Sequence, residues 1–106
     1  MEKINKFIIY KIDNTYELRI GYVYTHNDLL NKFDYWRDCC GGGLWDIDFT
    51  NKLIKLYGSS HEYGQPTFNE LQLAINKFKY YNSLYNLIKN IYHKEDFNIY
   101  EFNFEF

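Results

Sequence analysis

Apolar and polar residues alternate with a period of two over the first two segments of the chain. In residues 4–12, Ile4, Ile8, Tyr10 and Ile12 share one face with Lys6 among them, the pattern of a β-strand. Asp13-Asn14-Thr15 carries turn chemistry, and residues 16–24 form a second strand with Leu18, Ile20, Tyr22 and Tyr24 on one side. Gly21 inside that strand marks a bulge or a close backbone neighbour. At Thr25 the period lengthens. Leu29, Leu30, Phe33 and Trp36 follow helical spacing, with Thr25 or Asn27 able to cap the start. This predicts a first helix and puts His26 at its N-terminus, where unpaired N–H groups and the helix dipole favour anions and a neutral imidazole.

Three consecutive glycines, Gly41 to Gly43, interrupt the pattern, and a bare backbone there implies a tight turn, positive φ or close approach to a ligand. Period two then returns. Trp45, Ile47 and Phe49 fall on one face and Asp46, Asp48 and Thr50 on the other, and residues 53–57 form the returning strand of a hairpin. Gly58 to Gly64 is a polar loop bracketed by glycines. Thr67 and Glu70 form a capping box for a second helix, whose spacing runs through Leu71, Ile75 and Phe78 and continues towards Leu84, Leu87, Ile88 and Ile91. Alternation over residues 97–106 predicts a final strand. The whole is a single domain over residues 1–106 in the α/β class. It has one mixed sheet of about five to six strands and two main helices, in the order β-β-α-β-β-α-β.

Composition narrows the function. A net charge of −2 with only two arginines, Arg19 and Arg37, argues against general nucleic-acid binding and against a multi-arginine phosphate clamp. No apolar run is long enough to span a membrane, and the N-terminus has no signal-peptide pattern, so a cytoplasmic protein is expected. Cys39 and Cys40 are adjacent and read as reduced thiols. A zinc site from Cys39, Cys40, His26 and His61 lacks ligand spacing. Asp46-Ile47-Asp48-Phe49-Thr50 spells the nucleophile motif of haloacid-dehalogenase-type phosphatases, but its acids alternate with an apolar face and read as a solvated hairpin surface. Lys6 either snorkels out of its strand or points into a site.

The residues left over are one histidine at a strand–helix junction, one lysine on the first strand and two glycine-bounded loops. Tyr24-Thr25-His26-Asn27-Asp28, Cys40-Gly41-Gly42-Gly43 and Leu56-Tyr57-Gly58-Ser59-Ser60-His61-Glu62-Tyr63-Gly64 together resemble the Janus/Ocnus family, the small phosphohistidine phosphatases. The resemblance covers most of residues 5–66. It implies a metal-independent, cofactor-free hydrolase of the P–N bond of phosphohistidine, and secondarily of phospholysine. On this pattern His26 is the catalytic residue, as nucleophile or general base, and Lys6 neutralises phosphoryl oxygens. The loop around Ser60, His61 and Glu62, with Gly43, supplies the phosphate-binding main chain. The implied partner is a phosphorylated protein, and a monomer is favoured, with neither nucleic acid nor membrane as ligand. Leu44 stands where the family usually has arginine, and the tail beyond Pro66 is longer and Tyr-rich. The alternative is a non-catalytic module of the same fold that binds phosphate or a phosphoprotein.

Overall fold

The computed structural model describes residues 2–81 and 100–106. Five strands form one mixed sheet: β1 (Ile4–Ile12), β2 (Thr15–Val23), β3 (Cys39–Asp48), β4 (Leu53–Tyr57) and β5 (Glu101–Glu105). Their order across the sheet is β2-β1-β3-β4-β5, with β4 and β5 parallel and every other pair antiparallel. Among the described residues one α-helix, α1 (Phe68–Tyr81), follows β4.

Strand β1 is apolar on both sides because the sheet is covered on both. Phe7 and Ile9 join Leu18, Ile20, Trp45, Ile54 and Leu56 beneath Leu71, Ala74, Ile75 and Phe78 of α1. Ile8 and Tyr10 point the other way, into a smaller core with Leu29 and Cys39. The capping box at the start of α1 is formed as read: Thr67 N–H donates to Glu70 Oε1 (2.8 Å), and Glu70 N–H to Thr67 Oγ1 (3.1 Å). The aromatic alternation of β5 docks on the same helix, with Phe102 edge-on to Phe78 and Phe104 edge-on to Phe68. The expected continuation of the helix to Ile91, and the start of the last strand at residues 97–99, lie outside the described residues.

The hairpin of β3 and β4 matches its pattern, with Trp45 and Ile47 turned to the α1 core and Asp46 and Asp48 exposed. Asp48 is spent on its own turn, accepting the N–H groups of Thr50 and Asn51. That leaves the DxDxT stretch a solvated surface.

The first helix is a correction. Residues 26–38 contain two 3₁₀ turns, His26–Leu29 and Trp36–Asp38, joined by extended backbone at Leu30. Three interactions compete with the helix. Asn31 N–H donates to Asp34 Oδ2, Asp34 N–H returns to Asn31 O, and Arg19 Nη1 on β2 takes the Leu29 carbonyl (3.2 Å). Arg19 also pairs with Asp34 and Glu17 and lies 4.3 Å from the centre of the Tyr10 ring. The stripe expected to be buried therefore splits, leaving Leu29 inside while Phe33 and Trp36 are exposed.

The glycines form no turn but run through the middle of β3, and of the three needs expected of a bare backbone Gly41 meets one, a positive φ of 150°. A Cβ at Gly42 would stand 2.4 Å from the Phe7 carbonyl oxygen. The bare backbone serves close strand packing.

Candidate active site

His26 sits on the sheet face opposite α1, in the short turn after β2. Thr25 N–H donates to Asp28 Oδ2 (3.0 Å) and Asp28 N–H to Thr25 O (3.2 Å), fixing that turn. The ring sits close against the glycine strand: the same Cβ at Gly42 would approach His26 Cδ2 to 3.0 Å. Nε2 is 2.9 Å from Gly43 O. A carbonyl only accepts, so this contact places the proton of the neutral ring on Nε2 and leaves the lone pair on Nδ1. The residue is only 5% exposed. Nδ1 has no hydrogen-bond partner among the described residues.

The imidazole is held neutral, but not by the dipole of a long helix. Burial is the largest influence and lowers its pKa; the Gly43 carbonyl opposes it, Lys6 adds a further lowering and Glu62 opposes again. Lys6 and Glu62 thus both lie within electrostatic reach of the ring, from opposite sides in sequence. Lys6 is half-buried on β1 and pairs in register with Gly21 of β2 and Leu44 of β3.

The loop of residues 58–64 closes over this corner. Ser60 and Gly64 bridge each other (3.1 and 2.8 Å), and Gly42 N–H donates to Gly64 O (3.0 Å), tying the loop to the glycine strand. Tyr63 packs into the smaller core and its hydroxyl donates to Asn27 Oδ1, beside the histidine. Ser60 is buried, and its Oγ accepts Glu62 N–H and Tyr63 N–H, each at 3.2 Å. This leaves the Ser60 hydroxyl proton to donate. His61 and Glu62 are exposed.

Of the residues singled out in the sequence, Gly43 is hydrogen-bonded to His26, Lys6 and Glu62 act electrostatically on its ring, and Ser60 lies in the loop tied to the glycine strand, while His61 is exposed in that loop with no hydrogen bond to the ring. Gly43 serves as the acceptor that orients the imidazole. Sequence reasoning missed three contributors: Gly42, Asn27 and Tyr63. The signal for Gly42 was the triplet itself, whereas the Asn27–Tyr63 clasp joins positions far apart in sequence that only the fold brings together. Leu44 lies beside Lys6, and a Cβ at Gly58 would meet it at 3.8 Å, so an apolar wall borders the corner. Among the described residues no group of three or more His, Cys, Asp or Glu is placed to hold a metal ion.

No match was found among curated proteins. A family model, that of the Janus/Ocnus family (Ocnus), matches residues 4–85, a span that takes in both loops, His26, the whole hairpin and α1. The chain is a member of the Janus/Ocnus family.

Proposed function

We propose that the protein hydrolyses the P–N bond of phosphohistidine on a protein substrate, without a metal, with His26 as the reacting group. The observation that carries this reading is the buried histidine whose Nε2–H is fixed on Gly43 O, which leaves the ring's lone pair on Nδ1. A neutral imidazole with one oriented lone pair can act in two ways. As nucleophile, Nδ1 forms a bond to phosphorus while the substrate P–N bond breaks and the leaving nitrogen takes a proton from water; a second water then releases phosphate. As general base, Nδ1 takes the proton of a water whose oxygen attacks phosphorus while the substrate P–N bond breaks and the leaving nitrogen takes a proton from solvent. In both, the positive charge arising on the ring is shared through Nε2–H with the Gly43 carbonyl. Lys6 offsets the charge on the phosphoryl oxygens, and the Ser60 hydroxyl with the main-chain N–H of His61 supplies donors, since the Ser60 and Glu62 N–H groups are held within the loop. Phospholysine, with the same bond type, is a secondary substrate.

The test is release of phosphate from a phosphohistidine peptide in the presence of EDTA. Wild type turns over, and His26→Ala loses at least ~10²-fold, the lower range for a positioned acid–base group. Equal turnover by the two refutes the assignment.

A second reading is favoured by Leu44, whose apolar side chain stands beside Lys6. In it the corner binds a phosphorylated partner without cleaving it. Phosphate-dependent binding with no hydrolysis by wild type decides for this reading.

A further inference from the structure

Burying a guanidinium is costly unless its donors are matched, so a buried arginine marks a place where the fold needs several contacts from one side chain. Arg19 is only 4% exposed, and the hydrolytic reading gives it no part. It stands on β2 in register with Ile8 of β1, and Ile8 is in register with Gly42 of β3, a row across the sheet on the face that carries His26. The turn of residues 26–29 spans that row. At one end the His26 ring rests on the glycine strand, with Nε2 2.9 Å from Gly43 O. At the other end Arg19 Nη1 donates to the Leu29 carbonyl (3.2 Å), while the Leu29 side chain joins Ile8 in the smaller core.

The guanidinium is itself held on several sides. Nε donates to Glu17 Oε1 (3.1 Å), Nη1 also donates to Asp34 Oδ2, and Cζ lies 4.3 Å from the centre of the Tyr10 ring. The Tyr10 hydroxyl in turn accepts the Tyr35 N–H (2.9 Å). A planar cation fixed in this way has little freedom to release Leu29. The histidine end depends on a single side-chain hydrogen bond, and a 3₁₀ turn of four residues has only weak internal bonding.

We infer that Arg19 is a positioning residue for His26: by pinning Leu29 to β2 it sets where the turn lies across the sheet, and so keeps Nε2–H on Gly43 O and the lone pair on Nδ1. The kinetic consequence rests on the hydrolytic reading, whereas the geometric one does not.

The test records the His26 ring nitrogens by NMR in the folded full-length chain, at a pH where the ring is neutral. Ile75→Ala, which weakens the larger core beneath α1, is the control for lowered stability. Wild type and Ile75→Ala show Nε2 protonated and Nδ1 bare, and Arg19→Met shows a mixture of the two tautomers. Arg19→Gln, too short to serve Leu29 and Asp34 together, shows the same mixture and decides the question if the methionine variant does not fold. With a phosphohistidine peptide, Arg19→Gln lowers kcat at least about tenfold and leaves KM within about twofold, whereas Ile75→Ala changes neither. A single Nε2–H tautomer in Arg19→Gln overturns the inference, as does a comparable mixture in Ile75→Ala. If wild type does not turn over, the hydrolytic reading fails and the tautomers still decide this one.

Discussion

Replacing Gly42 by alanine tests how the glycine strand and the histidine are fitted together. The added methyl would sit 2.4 Å from the Phe7 carbonyl oxygen, 3.0 Å from His26 Cδ2 and 3.3 Å from Ile8 Cγ2. The first contact is with backbone, so no rotamer change relieves it: either β1 and β3 separate or the ring is displaced. Overpacking of a core costs about 1–3 kcal/mol, and a clash with backbone belongs at the upper end, about 3 kcal/mol. For a domain of this size that lowers the thermal midpoint by about 15 °C. The control is Gly64→Ala. Gly64 has a positive φ of 74° but open space around it, so alanine there carries only the conformational penalty, about 1–2 kcal/mol. Urea denaturation of both variants, with the His26 ring signals followed by NMR, gives the stability and the cause together. If Gly42→Ala lies within about 0.5 kcal/mol of wild type, the close approach of β1 to β3 is refuted.

Three further predictions concern the surroundings of the ring. His26 has a folded pKa below its ordinary value, so the unfolded chain binds the extra proton first; its contribution to stability is present in full above the ordinary histidine pKa and is lost as pH falls through the lowered folded value. Turnover should accordingly rise with pH through that lowered value, and a profile that falls over the same range contradicts the neutral imidazole. Lys6 lowers the His26 pKa and Glu62 raises it, so an NMR titration of Lys6→Gln should move it up and one of Glu62→Gln down; no movement in either places those charges away from the ring. Arg19→Met leaves Asp34 and the Leu29 carbonyl without their cation and should cost about 3 kcal/mol in urea denaturation, near the lower range for breaking a buried ion pair because Asp34 is partly exposed.

Local patterns were legible where local forces decide. The strand of residues 4–12, the Asp46/Asp48 surface of the hairpin and the Thr67–Glu70 box each depend on neighbours a few positions away, and each stands as read. The segment after His26 was misread because Leu29, Leu30, Phe33 and Trp36 have helical spacing. Arg19, distant in sequence, takes a carbonyl and a carboxylate of that segment and keeps it from continuing as an α-helix. The glycine triplet announced a close approach, yet whether to a ligand or to a neighbouring strand depends on what lies across the sheet. The neutral state of His26 was inferred from a helix dipole. The structure supplies the same state through burial and Lys6, neither of which the sequence around His26 displays. The meeting of that ring with the loop of residues 58–64 was implied by the family resemblance, whereas its means, the Tyr63–Asn27 contact and the Gly42–Gly64 hydrogen bond, belong to the fold.

The central claim is spatial: one anion pocket is shared by the unprotonated nitrogen of His26, the Lys6 ammonium and the donors of Ser60 and His61. Titrating ¹⁵N-labelled protein with inorganic phosphate, while recording the imidazole nitrogens, the lysine ammonium and the backbone amides, tests it most directly. The account predicts that His26 Nδ1, Lys6 Nζ and the His61 amide shift together with a single dissociation constant, while Nε2 keeps its proton. Shifts with different dissociation constants, or a ring that carries its proton on Nδ1 in the free protein, would contradict it.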